Sequence, residues 1–404
     1  MDLSKPVDHG FTRALPKIEL HAHLSGSISR QCLHELWAQK KAQSPKTFTL
    51  EDPLVVMPPG KVDYSLQTFF TTFSTTIYHL LTTLSDIRAA TRATLADFAA
   101  DGVVYLELRT IPRASPAQSF TREEYLTAVL ETMAEFSLEQ QRLLQGDASG
   151  PATMTTNLIL AIDRGTMTAR EAMKVVELAI KYRSPTPSPS PSPSPSPSTC
   201  TSTSTSTHPQ PQSPGRGVVV GLDICGNPTK GNIAQYAPAI AAAKAAGLGV
   251  TVHFAEIPTN LHPQNQEEEL RTLLAFEPDR LGHVIHVSEP IKEIQRQGCA
   301  LELCLSCNVH AGMVEGGFAE HHFGEWWLGA DEGGQCGVVL CTDDVGFFCS
   351  PVSNEYRLAA EHFHLHRADV LRLCRQSYGA IFGSTEEKQR LHRLLDDFAA
   401  NYKD

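Results

Sequence analysis

Residues 17–23, KIELHAH, alternate polar and apolar side chains and end on two histidines. Strict alternation marks a β-strand. Residues two apart on a strand face the same side, so His21 and His23 point together. Outward from this stretch, further β-branched runs recur as VVYLELR (103–109), NLILAID (157–163), VVVGLD (218–223), VTVHF (250–254), RLGHVI (280–285), ALELCLS (300–306) and VVLCTD (338–343). Helical patterns lie between several of them. Residues 84–100 carry apolar positions at helical spacing and stop before Asp101-Gly102, and the Ala-rich 232–246 meets Gly247, a helix C-cap. Eight strands with intervening helices predict an α/β fold, a (β/α)8 TIM barrel, with added helices in the final ~45 residues. An open doubly wound sheet is the alternative, but no G-x-G-x-x-G follows the first strand.

One segment breaks this rhythm. Residues 184–214 are Pro-Ser and then Thr-Ser repeats, almost free of apolar side chains. Such a run cannot bury enough surface to offset ordering, so it predicts a disordered tether. It is read as an insertion into a single domain spanning 1–404. It follows the helical pattern at 168–183 and precedes the strand at 218. Helix-to-strand loops of a barrel lie opposite the catalytic face, so the insert leaves chemistry untouched. Docking to a proline-binding domain is a weaker reading, because nothing in the run supplies a specificity anchor.

Composition narrows the class. The chain has 404 residues, 41% hydrophobic and 20% charged, with a net charge of −11 and no Lys/Arg-rich run. That argues against binding nucleic acid or an anionic membrane, though one local Arg still suffices for a small anion. The opening MDLSKPVDHG lacks a secretory pattern, and no apolar run approaches the ~18 residues of a membrane span. Ten cysteines are scattered, with Cys304–Cys307 as the sole C-x-x-C. Without a second half this is no structural zinc site, and the cysteines read as reduced in a cytosolic protein.

Polar residues close nearly every strand: His21, His23, Asp163, Asp223, His253, His283, Asn308 and Asp343. Singly, each has an ordinary reading. H-x-H arises by chance, a lone His283 suits a satisfied core, and Asp343-Asp344 suits a turn. Gathered at one barrel mouth they are costly to desolvate without a purpose. Three imidazoles and one carboxylate suit a single Zn²⁺ per chain, with a position left for water whose pKa falls towards ~7. Glu256, three residues after His253, brings a carboxyl beside that centre, and Asp344 offers a second carboxylate to a substrate.

In chain order, HAHLSGS (21–27), GLDICGNP (221–228), HFAE (253–256), RLGH (280–283) and CTDD (341–344) resemble the signature segments of the adenosine deaminase superfamily. The similarity spans about 14–385, apart from the insert. HAHLSGS, ELRTIPR (107–113), HFAEIP (253–258), HHFGEWW (321–327) and CTDDVGFF (341–348) look most like the adenosine deaminase-like subgroup, the N6-methyl-AMP deaminases. The resemblance implies a zinc-dependent hydrolytic deaminase yielding IMP. His21, His23, His253 and Asp343 match its zinc ligands. Glu256 matches the acid that protonates purine N1, and His283 the residue that orients the hydroxide. Asp344 matches a contact to N7, and Gly226 a backbone contact to N3. Two positions depart from the pattern: Asn227 replaces a common Asp, and Val284 replaces a usual Gly.

Two features favour a nucleotide over a nucleoside. Ser25 stands where adenosine-specific relatives carry an Asp that would repel phosphate, and a hydroxyl can donate instead. Thr110-Ile111-Pro112-Arg113 follows the second strand and offers a hydroxyl, backbone amides and a guanidinium. His23 and His79 match further substrate contacts, and Asp163 and Arg164 frame the same pocket. The choice of N6-methyl-AMP over AMP comes from the subgroup resemblance alone. The competing readings are adenosine deaminase proper, another zinc hydrolase on this barrel, and an inactive barrel that serves as a binding protein. No strand end offers the lysine that bridges two metals in many such hydrolases. The full ligand set with Glu256 speaks against an inactive copy. The expected partner is a small purine nucleotide, neither nucleic acid nor membrane, bound by a cytosolic monomer.

Overall fold

A computed structural model describes residues 1–115, 120–144, 152–183, 218–261, 266–287, 294, 298–331 and 337–403. The expected tether at 184–214 lies outside these residues. Eight strands form one parallel sheet in the order β1 (Lys17–His23), β2 (Val103–Thr110), β3 (Thr155–Asp163), β4 (Val219–Cys225), β5 (Gly249–Phe254), β6 (Arg280–His283), β7 (Ala300–Leu303) and β8 (Val338–Leu340). Just past β8, Asp343 N–H donates to the His21 carbonyl at 2.7 Å and the Asp343 carbonyl accepts from His23 N–H at 3.1 Å. That bridge closes the ring into the (β/α)8 barrel.

Helices flank the ring, so strand residues of both faces are buried. All eight residues of β2 and all seven of β4 are enclosed. Outward apolar side chains such as Leu106, Leu108, Val219 and Leu222 pack into one continuous core. The inward faces are instead charged: Glu19, Glu107, Arg109, Asp223, Arg280 and Glu302 are all fully buried. The period-two pattern therefore carries two cores, an apolar one outside the ring and an ionic one within it.

The helix Leu84–Ala100 begins where expected, because Thr83 and Asp86 form a reciprocal capping box. Thr168 and Glu171 do the same for Ala169–Tyr182. The Ala-rich segment splits into a 3₁₀ turn, Ile233–Tyr236, and a helix, Ala237–Ala245, with proline in its first turn. Helices Val352–Phe363, Arg367–Ser377 and Thr385–Asn401 form the C-terminal addition.

Two strands are shorter than their apolar runs. β6 stops at His283 because His283 and Val284 take left-handed φ values of 66° and 54°, which no strand accommodates. β7 stops at Leu303, and Cys304 opens a short helix, Leu305–His310. The flanks of the insert come together at the start of β4, where Arg183 bridges Val219 and the Val218 carbonyl accepts from Leu158 N–H at 2.9 Å. Both flanks thus sit at strand N-terminal ends, opposite the mouth that holds the clustered histidines. No helix among the described residues is long and apolar enough to cross a membrane.

Candidate metal and active site

The strand ends bring the expected donors together. His21 and His23 leave β1, His253 leaves β5, and Asp343 follows β8. His253 Nε2 lies 3.2 Å from His21 Nε2 and 3.1 Å from His23 Nε2. Asp343 Oδ1 lies 3.5 Å from the former and 3.4 Å from the latter. Two overlapping donor groups can be drawn here. One donor atom each from His21, His253, His283 and Asp343 falls within 4.8 Å of the others, and His23 also neighbours Asp223 and Cys225. The finer distances favour His23 over His283 beside Oδ1. His283 Nε2 faces the other carboxylate oxygen of Asp343, at 3.8 Å, and Glu256 Oε1, at 3.4 Å. It flanks the four-donor set between Asp343 and Glu256.

The inner ionic core orients these imidazoles. His21 Nδ1 is 2.7 Å from Glu302 Oε2, although out of line for a hydrogen bond. His253 Nδ1 meets Asp223 Oδ1 at 3.2 Å. Arg109 pairs with both carboxylates, contacting Glu302 and lying 3.4 Å from Asp223 Oδ2. Arg280 Nε adds a 2.7 Å contact to Glu302 Oε1. With carboxylates at Nδ1, the Nδ1–H tautomers are preferred and the Nε2 lone pairs converge. Neutral rings packed this way repel unless positive charge lies among them. Burial, then Arg109, holds His21 well below the usual histidine range, and burial, then His253, does so for His23. At His253 burial also opposes the charge, but Asp223 and Glu256 outweigh it and raise the group to about 9. Two of the three rings are therefore held neutral, as metal-ligating imidazoles must be. A divalent cation satisfies all four donors at once, and the donor set fits a borderline metal.

A cavity of about 240 Å³ opens beside these donors. His23, Glu256, His283 and Asp344 form its inner end, and Phe69, Phe70, Phe73 and Tyr78 form an aromatic wall. The wall comes from the helix Leu66–Thr72, a π-turn Phe73–Ile77 and a final turn Tyr78–Leu80. Burial pushes the Glu256 carboxyl up to about 7, against the opposing pull of His253. Burial and then the Asp343 charge raise Asp344 well above the carboxylate range, and its Oδ1 is buried without a partner. Both carboxyls are thus shifted towards their protonated forms, in which each can donate to a ring nitrogen. Gly26 is required here, because any Cβ would collide with the Asp344 carboxyl. Gly226 has φ 99°, and a Cβ there would lie 2.5 Å from Asp163 Oδ1.

Of the expected substrate contacts, His23, Ser25, Ile111, Asp163, Gly226 and Asp344 line this cavity. His79, Thr110, Pro112, Arg113 and Arg164 stand outside its lining, Arg164 being paired with Glu269 at 2.5 Å. His79 is exposed. Thr110 Oγ1 bonds the Tyr125 hydroxyl at 2.8 Å, and the Pro112 carbonyl accepts from Arg122 at 2.8 Å. The Arg113 guanidinium lies 4.2 Å over the Tyr78 ring, and Tyr78 in turn is hydrogen-bonded to Ser25. Asn227 caps a turn, accepting from Thr229 N–H at 3.0 Å and its hydroxyl at 2.7 Å. The aromatic wall, Met313 of the lining and the Glu302–Arg109 pair that joins Asp223 in the inner core were not singled out by the sequence reading. Alternate charges in ELR (107–109) and ALEL (300–303) were the available signal for the core.

Comparison with known proteins follows the same lines. The adenosine deaminase family model matches residues 16–187 and 213–398. The human N6-methyl-AMP deaminase is 31% identical over 398 residues, covering 96% of this chain and 95% of that protein. The Arabidopsis thaliana N6-mAMP deaminase is 30% identical over 395 residues, covering 95% and 97%. A crystal structure of Arabidopsis ADAL complexed with IMP superposes with a TM-score of 0.78 at 28% identity, covering 97% of this chain and 99% of that one. Barrel, donor cluster and full-length similarity agree: the chain belongs to the adenosine deaminase family.

Proposed function

We propose that this chain is a zinc-dependent hydrolytic deaminase that converts N6-methyl-AMP and water to IMP and methylamine. The observation that carries the reading is the meeting of His21, His23, His253 and Asp343 donor atoms beside the buried Glu256 carboxyl, in the lining of one cavity. A zinc ion held by those four residues would lower the pKa of a water to about 7 and so supply the nucleophile.

The chain's own groups do the rest. Glu256 gives its proton to purine N1, which makes C6 electrophilic. Asp344 donates to N7, and the Gly226 backbone contacts N3. The C6–O bond forms and the C6–N6 bond then breaks. N1 of IMP keeps the proton from Glu256, and of the two water hydrogens one restores Glu256 and the other leaves on methylamine. His283 orients the attacking oxygen.

Recognition of the 5′-phosphate is assigned to the Thr110–Arg113 loop with Ser25 and His79. Arg113 Nη2 is buried without a partner behind Tyr78, which supports a spare N–H for an anion. The names of the relatives support the N6-methyl substrate. The reading also takes the protein as a cytosolic monomer acting on free nucleotides. Eight free cysteines among the described residues are consistent with a reducing compartment. Assay of the purified protein with N6-methyl-AMP, AMP and adenosine side by side tests the assignment. N6-methyl-AMP is expected to be turned over fastest, and turnover of adenosine alone would replace this reading with adenosine deaminase.

A further inference from the structure

The HHFGEWW segment contributes no side chain to the cavity lining, yet both of its histidines are buried and connect to His283, His322 directly and His321 through Asn308. The polarity of the connection can be worked out from its far end. Phe323 N–H donates to His321 Nδ1 at 3.0 Å. A backbone amide can only donate, so Nδ1 must accept and the proton of the neutral His321 ring must sit on Nε2. His321 Nε2 lies 3.1 Å from Asn308 Oδ1, which accepts it. The Asn308 amide orientation is thereby fixed by a main-chain donor rather than by choice of atom names. Asn308 Nδ2 then faces His283 Nδ1 at 2.9 Å and donates to it. His283 Nδ1 is consequently an acceptor, and its proton must be carried on Nε2.

The second histidine acts on the backbone. His322 Nε2 donates to the His283 carbonyl at 2.6 Å. His283 and Val284 hold left-handed φ values of 66° and 54°, a conformation disfavoured for a β-branched residue. The bond from His322 secures the carbonyl within that turn.

We infer that His321 and Asn308 are positioning residues that lock His283 as the Nε2–H tautomer, while His322 holds its strained backbone. His283 therefore presents a proton, not a lone pair, towards Glu256, Asp343 and the site of the attacking oxygen. It orients the nucleophile as a hydrogen-bond donor and does not serve as the base that deprotonates it. This rests on the placement of the reacting oxygen beside His283 in the proposed function.

The test compares His321→Gln, His321→Leu and Asn308→Asp with the wild-type chain loaded with zinc. A glutamine amide can accept from Phe323 N–H and donate to Asn308, whereas leucine can do neither. Aspartate at 308 cannot donate to His283 Nδ1. ¹⁵N resonances of the histidine rings report the tautomer directly. Wild type and His321→Gln are expected to show His283 as Nε2–H. Asn308→Asp is expected to convert it to Nδ1–H or to the doubly protonated ring. For kcat on N6-methyl-AMP, losses of roughly 10²-fold are expected in Asn308→Asp and 10-fold or more in His321→Leu, with near-normal rates in His321→Gln. KM and zinc content should stay close to wild type. An Nδ1–H tautomer in the wild type, or an unchanged tautomer in Asn308→Asp, overturns the relay. A fully active His283→Ala would instead remove the role of His283 in the reaction while leaving the relay standing, so the two failures are separable.

Discussion

Glu256 and Arg113 show how far single side chains can be argued from their surroundings. Glu256 is enclosed, and burial raises its carboxyl to about 7, so near neutrality it still holds the proton its role requires. Glu256→Gln keeps the shape but supplies no transferable proton. We expect kcat to fall by at least ~10²-fold with zinc content and thermal stability retained. Wild-type turnover in that variant would remove Glu256 from the proton transfer. Arg113 stacks 4.2 Å over Tyr78 with one buried N–H free. If that N–H serves a phosphate, Arg113→Ala raises KM for N6-methyl-AMP by 10-fold or more and leaves KM for the corresponding nucleoside within about 2-fold, on the scale of a lost charge-assisted hydrogen bond. Equal effects on both substrates would mean that Arg113 only props up the Tyr78 wall.

At the scale of strands and helices, much of the molecule could be read from alternation and caps. β1 coincides with KIELHAH and the helix Leu84–Ala100 with its apolar pattern, because a strict period and a capping box leave little choice. β6 and β7 were overrun. An apolar run such as LCLS does not distinguish strand from helix, and the left-handed turn at His283 and Val284 was signalled only by the Gly that relatives usually carry at the second position. The ionic core inside the barrel escaped notice for a different reason. Glu107, Arg109 and Glu302 alternate with leucines as solvent-facing residues do, and only the closed ring turns that face inward. The aromatic wall carries no metal donor or charge, so nothing marked Phe69, Phe70 and Phe73 as cavity residues. The strand core has its own consequence. Glu302 orients His21 and is held by Arg109 and Arg280. Glu302→Gln is expected to weaken zinc binding 10–100-fold in a chelator competition while the fold persists. Unchanged affinity would show that the inner charges serve packing alone.

For the molecule as a whole, pH also acts through a buried carboxyl outside the cavity lining. Glu355, fully buried, has its carboxyl raised from 4.5 to about 7 by burial, despite hydrogen bonds from Ser306 and Ser350. A raised folded-state value means the native chain binds this proton more tightly than the unfolded one. Its stabilising contribution is therefore complete below pH 4.5 and lost as pH rises through about 7. In Glu355→Gln, denaturant unfolding between those limits should show a stability slope flatter by up to about 1.4 kcal/mol per pH unit. Parallel slopes in the two proteins would contradict the assignment. The Pro/Ser/Thr insert bears on the same scale. Its flanks, Arg183 and Val218, meet at the strand face opposite the histidines, so its removal is expected to leave kcat/KM within about 2-fold.

The account stands on one metal ion recruited by four side chains from three parts of the ring, two on β1, one on β5 and one just past β8. The most direct measurement is metal analysis of the purified chain together with N6-methyl-AMP turnover before chelation, after chelation and after zinc is returned. One zinc per chain, activity lost with the metal and activity restored with it are the predicted results. Undiminished release of methylamine from thoroughly metal-free protein would contradict it.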